Sequence, residues 1–179
     1  MPDGPELRRR GDEDPNPRSS TRPTPEEIDL AKSEGNSPRH IAARERVARS
    51  FYEDQGMPAS KIDGHLAGID YNQPVLVEEI PEGTTLVQYQ VPNGPQGNYY
   101  AKPNVDPSDL GISDKARDWN TGEIVQKTAN TYTTDSPVSA LRSSAASIND
   151  TWSIPGETIP TRGGAIQYFT MSSDAILPN

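Results

Sequence analysis

The chain has 179 residues, a formal net charge of -9 and only 31% hydrophobic residues, so its length allows one domain with an appendage. The absence of cysteine excludes a disulfide scaffold, a zinc ribbon, an iron–sulfur site and a thiol nucleophile. No apolar run approaches the length of roughly 18 residues that a membrane span requires, and the charged start is unlike a secretory signal.

The charge is unevenly distributed along the chain. Residues 1–50 carry ten basic and ten acidic residues, whereas residues 51–179 carry seven basic and sixteen acidic ones. Because an acidic surface repels phosphate backbones, we expect no nucleic-acid partner. Backbone N–H groups or a lone arginine can still bind a small anionic ligand locally.

The N-terminal segment has the composition of a linker. The first 50 residues contain no aromatic residue and seven of the eighteen prolines, so they bury too little surface to offset the entropy of ordering. We predict that residues 1–22 are disordered. Thr24 and Pro25 form a helix-start pattern, which predicts a short, weak helix ending near Ser33.

The rest of the chain predicts helices followed by a mainly antiparallel sheet. A helix starts at Ser37-Pro38 and ends before Gly56, and a short helical turn covers residues 60–66. Asp106–Gly111 is predicted as a capped helical turn, and Asn120–Gly122 as a hairpin-like turn. The predicted strands cover residues 75–77, 84–91, 99–101, 124–134, 138–141, 151–154 and 166–171. This pattern is α+β.

Several catalytic and metal-binding motifs are missing. The two histidines, His40 and His65, lie 25 residues apart and form no metal-ligand spacing. Neither GxSxG, GxxxxGK[ST] nor GxGxxG occurs, which weighs against a serine hydrolase elbow, a P-loop and a Rossmann fingerprint. We therefore expect no metal, while His65 is open to either a site role or a turn-stabilising role.

The first candidate cluster combines amides with aromatic rings. Gln88 and Gln90 share one face of a predicted strand, and buried amides need partners that a ligand can supply. A glycine-containing turn then leads to two tyrosines that can stack on a planar ring. The candidate residues of this segment are Gln88, Tyr89, Asn98, Tyr99 and Tyr100. The alternative is a polar edge strand with tyrosines in the core.

Two further clusters lie near the C-terminus. Asp150 stands close to Trp152, and apolar surroundings can hold such a carboxylate against a developing positive charge. The alternative is a turn aspartate beside a core tryptophan. Further on, Arg162-Gly163-Gly164 precedes Gln167, so backbone can approach a ligand closely and an amide can bind ribose hydroxyls.

Five segments carry a family resemblance. In chain order they read TTLVQYQVP, GPQGNYYA, DLGI, NDTWSIPG and GGAIQYFT. This series resembles the C-terminal domains of bacterial polymorphic toxins of type 46 over about residues 60–175. These domains are similar to the NAD(P)+ glycohydrolase effectors of type VI secretion and, more distantly, to the tuberculosis necrotizing toxin.

The resemblance implies an ADP-ribosyltransferase-like fold, in which two split antiparallel sheets behind N-terminal helices clasp a dinucleotide. It implies NAD+ or NADP+ as substrate, no cofactor, and hydrolysis of the nicotinamide–ribose bond. Gln88 and Gln167 would orient the ribose, and Asp150 would stabilise the cation or position water. Stacking is implied for Tyr99, Tyr100 and Trp152, and pyrophosphate contact for Arg162, Gly163 and Gly164.

The resemblance also implies a biological context. Residues 1–36 would link a delivery module or secretion apparatus to a catalytic domain over residues 37–179. The domain would be a monomer that acts in the cytoplasm of a target bacterial cell and is neutralised by a cognate immunity protein.

Two other functions remain open at this stage. A mono-ADP-ribosyltransferase toxin would keep the fold and modify a protein or an RNA. Ala165-Ile166-Gln167 lacks the glutamate that transferases use, and the acidic charge argues against RNA in particular. A non-enzymatic interaction module would use the same tyrosines and tryptophan only as core.

Overall fold

The computed structural model describes residues 22–179. Within this range three helices come first: α1 Pro25–Lys32, α2 Pro38–Asp54 and α3 Ala59–Leu66. Eleven strands follow: β1 Leu76–Ile80, β2 Thr85–Gln90, β3 Tyr99–Tyr100, β4 Lys115–Arg117, β5 Ile124–Gln126, β6 Thr128–Thr134, β7 Val138–Ser144, β8 Asn149–Asp150, β9 Ile159–Pro160, β10 Ile166–Phe169 and β11 Ile176–Pro178. Short 3-10 helices cover Pro107–Leu110 and Ser173–Ala175.

The two predicted helix starts are confirmed by their capping geometry. The Thr24 hydroxyl accepts from Glu27 N at 3.1 Å, and the Glu27 carboxylate accepts from Thr24 N at 2.9 Å, which is a capping box. The Ser37 hydroxyl accepts from His40 N at 3.3 Å and caps α2. Helix α2 buries Val47, Ala48, Phe51 and Tyr52, among other residues.

Two antiparallel sheets form the body of the domain. One has the strand order β1-β7-β10-β3, and the other has the order β11-β6-β2. A single bridge between Val87 and Ala101 connects them. The pairs β4–β5 and β8–β9 are separate two-stranded elements. The α+β prediction is therefore confirmed.

The domain has two hydrophobic cores. In the first, the helices pack against Leu141 and Phe169 of the four-stranded sheet. The second contains residues of both sheets, among them Leu86, Tyr100 and Tyr132. The candidate site therefore lies on strands that are supported from two sides.

Two predicted strands differ from the structure. The predicted strand over 124–134 is divided at Lys127, because residues 124–126 pair with β4 and the residues from Thr128 onward pair with β2. The Lys127 N–H donates to Asp114 O at 2.9 Å, at the end of the β4–β5 ladder. The predicted strand over 151–154 is a turn, because the Asp150 carboxylate binds the N–H groups of Trp152 and Ser153. Local side-chain capping overrides strand propensity at this position.

Helix α1 belongs to the packed domain, so the predicted boundary at residue 36 falls too late. Ala31 is fully buried, and its carbonyl accepts from Val75 N at 3.0 Å. The Arg44 guanidinium donates to Ala31 O at 2.9 Å and to Ser33 O at 2.6 Å. The predicted disorder of residues 1–22 lies, except for Arg22, outside the described residues, and a linker role stays a prediction.

Two truncations separate the linker from the domain. We expect a chain that starts at residue 22 to keep its melting temperature and activity. A chain that starts at residue 34 removes α1 and two acceptors of the buried Arg44. It should lose about 3 kcal/mol of stability, a fall of roughly 6–12 °C in melting temperature. Equal melting temperatures for both truncations would contradict the packing role of α1.

Candidate functional site

The amides of β2 form a buried network. Gln88 and Gln90 are 6% and 9% exposed and lie on the same face as Leu86. The Gln88 amide donates to Tyr99 O at 2.9 Å, and its oxygen accepts from Gly97 N at 3.0 Å. Gln90 donates to the Gln88 oxygen and to the Tyr132 hydroxyl. The network ties β2 to the loop before β3.

Only a little of this network's hydrogen-bonding capacity remains for a ligand. Asn130 donates to the Gln90 oxygen, so the Gln90 amide is engaged at both ends. Gln88 uses one amide N–H on Tyr99 O, and its second N–H has no acceptor among residues 22–179. Gln90, Asn130 and Tyr132 belong to the same amide network as Gln88. Sequence pattern identified Gln90 but not its partners, because those come from a strand 40 residues away.

The two tyrosines of β3 have different surroundings. Tyr100 is 2% exposed in the inter-sheet core and accepts from Gln96, so the prediction that it stacks on a ligand is wrong. The half-buried Tyr99 hydroxyl lies 3.0 Å from the Tyr52 hydroxyl and 2.8 Å from His65 Nδ1. The His65 and Tyr99 rings are nearly parallel, with an interplanar angle of 7°. His65 therefore belongs to this cluster.

Burial controls protonation in the Tyr52–Tyr99–His65 cluster. Desolvation raises the pKa of Tyr52 to about 12 and that of Tyr99 well above its usual value. Desolvation, followed by the charge of Lys61, lowers the pKa of His65. Near neutral pH the cluster is therefore a network of neutral hydroxyls and a neutral imidazole.

The flanking candidates Tyr89 and Asn98 make backbone-directed contacts. The Tyr89 hydroxyl donates to Val105 O, and its side chain is half-buried. The backbone carbonyl of Asn98 accepts a hydrogen bond from Thr170 N at 3.0 Å, which joins the start of β3 to the segment after β10. Both residues therefore fix the loops that surround β2 and β3.

The side-chain oxygen of Gln167 accepts no hydrogen bond from residues 22–179. Gln167 is 8% exposed, and its amide nitrogen lies 3.2 Å from both Gly68 O and the Ser143 hydroxyl. These two contacts use its two N–H groups, so its carbonyl oxygen can accept from a ligand hydroxyl. No hydrogen bond joins Gln167 to Gln88 in the described part of the chain. The two are linked through β3, because Tyr99 accepts from Gln88 and pairs with Phe169.

Asp150 is fully buried and fully hydrogen-bonded. One carboxylate oxygen accepts from Trp152 N and Ser153 N, and the other accepts from Ser113 N and the Ser153 hydroxyl. Burial alone would raise its pKa, but the hydrogen bonds from Ser113 and Ser153, with that from Trp152, hold the pKa below its ordinary value of 3.8. Lys127 reaches the same Ser153 hydroxyl at 2.8 Å. The carboxylate is therefore ionised and anchors a turn.

Asp150→Asn should destabilise the domain by about 3 kcal/mol at pH 7, because an amide N–H₂ would face groups that donate to the carboxylate. Since the folded-state pKa lies below the unfolded value near 3.8, the carboxylate stabilises the fold above that pH. The difference from wild type should shrink as the pH falls through the folded-state pKa.

Chemical denaturation at pH 7 and at lower pH measures this difference. Asp63→Asn is the matched control, because the Asp63 side chain is 84% exposed, and it should change stability little. Equal stabilities of the two variants at pH 7 would refute the anchoring role.

Trp152 and Arg162 lie on the surface. Trp152 is 53% exposed, so the core alternative is wrong and the ring is available for contact. The Arg162 guanidinium lies 2.7 Å from the Asp109 carboxylate and 3.2 Å from that of Asp106. Its hydrogen bond to Asp109 and the two carboxylate charges raise its pKa. Arg162 is thus already paired, and contact with a pyrophosphate would require exchange of these partners.

The glycine pair serves packing against the chain itself. Gly163 N donates to Ser108 O at 2.9 Å, and Gly164 N donates to Ala145 O at 2.8 Å. A Cβ at Gly163 would lie 2.6 Å from backbone atoms of Ala146 and Ser147. The prediction that these N–H groups face a pyrophosphate is therefore wrong, because protein carbonyls occupy them.

The described part of the chain holds no group of three or more His, Cys, Asp or Glu side chains that could bind a metal. None of its helices has both the length and the apolar character needed to cross a bilayer. A cavity of about 310 Å³ is lined by Lys32, Gln73, Pro74, Leu76, Arg142, Ser144 and Ile166, none of which is a candidate site residue.

The chain belongs to the bacterial toxin 46 family, whose sequence model matches residues 30–176. That range includes every candidate site residue. Over 125 residues, 69% of this chain, it is 38% identical to the NAD(P)(+) glycohydrolase toxin Tse6 of Pseudomonas aeruginosa. The match spans 29% of the length of that relative.

One solved structure agrees with this assignment. The structure of Tse6 in complex with Tsi6 superposes with a TM-score of 0.68 at 30% identity, and the match covers 78% of this chain and 96% of that one. Rhs1-CT in complex with its cognate immunity protein RhsI1 is more distant, with a TM-score of 0.46 and 16% identity over 74% of this chain and 91% of that one.

Proposed function

We propose that this domain is a toxin that hydrolyses the nicotinamide–ribose bond of NAD+ or NADP+. The 38% identity to the Pseudomonas aeruginosa toxin named for NAD(P)(+) glycohydrolase activity carries the proposal. Buried amides on two strands, Gln88 and Gln167, supply hydrogen-bonding groups suited to ribose hydroxyls.

We further propose an ADP-ribosyltransferase-like arrangement, in which the two sheets clasp the dinucleotide. The support is the bridge between Val87 and Ala101, which brings β2 of one sheet beside β3 of the other. The Gln88 contact to Tyr99 crosses the same junction. A substrate at this junction would meet both sheets.

The proposed reaction passes through a ribosyl cation. The nicotinamide ring is cationic in the substrate and leaves neutral when the glycosidic electron pair moves to it, so no strong general acid is needed. Water then adds to the ribose carbon and loses a proton, which gives ADP-ribose, or its 2′-phosphate from NADP+. The protein must orient the ribose, stabilise the cation and admit water.

Six of the candidate residues have a role in this scheme. The free carbonyl oxygen of Gln167 accepts from a ribose hydroxyl, and the second N–H of Gln88 donates to another ribose oxygen. Asp150 holds the turn that presents Trp152 and adds negative potential near the cation. Tyr99 and Trp152 border the nicotinamide or adenine ring. Arg162 exchanges its carboxylate partners for the pyrophosphate.

We also propose that the domain is a monomer, delivered as part of a larger protein into the cytoplasm of a target bacterial cell. A cognate immunity protein protects the producer. The complex of Tse6 with Tsi6 supports a protein partner, and the acidic residues 51–179 favour one with a basic surface.

Incubation of the purified domain with NAD+ tests the proposed function. Rapid release of free nicotinamide without any acceptor is the expected result. Release only after addition of cell extract would indicate a transferase, and no release under either condition would indicate an interaction module.

A further inference from the structure

Trp119 is the most exposed large apolar side chain among residues 22–179, at 94%. Ile124, which pairs with Arg117 in the same hairpin, is 43% exposed. Trp152, which precedes the Ser153 whose carbonyl accepts from Arg117 N, is 53% exposed. An exposed tryptophan of this kind is costly in water and is typical of binding hot spots. The hairpin β4–β5 therefore needs an explanation beyond folding.

The turn that carries Trp119 is rigidly organised. Asp118 N donates to Glu123 O at 2.8 Å, and Gly122 N donates to Asp118 O at 2.8 Å. The Asp118 carboxylate accepts from Asn120 N at 2.7 Å, and the Arg117 guanidinium donates to Gly122 O. The indole is thus presented from a fixed turn, which lowers the entropy cost of binding.

The hairpin lies beside the candidate site. Arg117 N donates to Ser153 O at 3.0 Å, within the turn that Asp150 holds. Strand β5 leads directly into β6, where Thr128 pairs with Gln90 of the amide network. A macromolecule that covers the turn held by Asp150 and extends along the hairpin would therefore meet Trp119 near the hairpin tip.

The charges around Trp119 indicate the chemistry of its partner. The hairpin and the neighbouring turn carry four carboxylates, those of Asp114, Asp118, Glu123 and Glu157, against three cations, those of Lys115, Arg117 and Lys127. A cationic surface complements this excess. A small planar ligand instead needs enclosing walls, and the 310 Å³ cavity lies on other residues.

We propose that Trp119 anchors the immunity protein, which contributes an indole-sized pocket with a cationic rim. This inference rests on the proposed immunity partner. A partner docked at Trp119 would cover the substrate site, while the hairpin residues that it contacts would have no role in catalysis.

The binding partner in the test is the immunity protein, identified as the protein whose co-expression keeps cells alive when they express the wild-type chain. Trp119→Ala should raise the dissociation constant of the complex with the immunity protein at least ~100-fold, as loss of a hot-spot tryptophan does. Trp119→Lys should raise this constant further, because the lysine would repel the cationic rim of the partner's pocket. Leu177→Ala is the matched control, because Leu177 is 44% exposed on β11, and should change the constant less than about threefold. Melting temperatures should match wild type.

Nicotinamide release in the absence of the partner should stay within about twofold of wild type for Trp119→Ala, whereas inhibition by the partner is lost. Unchanged affinity of both Trp119 variants would overturn the proposal. Loss of NAD+ cleavage by a folded Trp119→Ala variant would also overturn it, because Trp119 would then lie at the substrate. A third contradicting result would be a homodimer of the wild-type domain that Trp119→Ala dissociates. If wild type releases no nicotinamide, the proposed function fails, while the dissociation constants still decide the docking site.

Discussion

Gln167→Ala should lower the turnover of NAD+ at least ~100-fold while the domain stays folded. The side chain is anchored through its two N–H contacts to Gly68 and Ser143, so its carbonyl oxygen is held in a fixed direction. A positioned group that hydrogen-bonds more strongly in the transition state contributes roughly 3 kcal/mol. Steady-state nicotinamide release and the melting temperature together measure the effect.

Three companion variants sharpen this prediction. Gln126→Ala removes an exposed glutamine of β5 and should keep wild-type turnover. Gln88→Ala should act like Gln167→Ala, and the double variant should lose less than the sum if both amides hold one ribose. Gln167→Glu should weaken hydrolysis, because a carboxylate oxygen would face the Gly68 carbonyl, or reveal transfer to acceptors, because it restores the glutamate that transferases use. Wild-type cleavage by folded Gln167→Ala would show that the site lies elsewhere.

Arg44→Met should lower the free energy of unfolding by at least about 3 kcal/mol, a large share of the stability of a domain this size. Arg44 is fully buried and donates to Ala31 O, Ser33 O and Tyr71 O, at 2.9, 2.6 and 2.9 Å. Burial lowers its pKa, but a guanidinium stays protonated, so the three carbonyls must compensate its desolvation. Methionine would leave all three without this donor.

Arg49→Met on the same helix is the matched control. Its guanidinium is 38% exposed and pairs with the exposed Asp63, so removal should cost less than about 1 kcal/mol. Urea unfolding of both variants gives the comparison. Equal losses for Arg44→Met and Arg49→Met would contradict the role of Arg44 as the link between α1, α2 and the loop after α3.

Local signals predict the helices and most strands well. Thr24 with Glu27 and Ser37 with Pro38 specify helix starts through side chains only a few residues away, and the structure has these caps. The break at Lys127 was not predictable in the same way. It depends on a change of partner strand, from β4 for residues 124–126 to β2 from Thr128 onward, and propensity carries no information on that pairing.

The candidate site shows the same division. The pattern identifies Gln88 and Gln167 as buried amides on strands, and the structure buries both. It could not assign opposite environments to Tyr99 and Tyr100, because burial on both faces of β3 depends on which sheets and helices cover it. Helix α3 places His65 in the tyrosine cluster, and because His65 is 34 residues from Tyr99, no local sequence signal predicts this contact.

Parallel quantification of nicotinamide and free ADP-ribose from NAD+, with the purified wild-type domain and no other protein, tests the central claim most directly. Hydrolysis predicts that the two products appear at the same rate and in equal amounts until NAD+ is exhausted. Two results would contradict the assignment as a glycohydrolase. One is release of nicotinamide without an equal amount of free ADP-ribose, because the ADP-ribose has been transferred to protein, and the other is no release of nicotinamide at all.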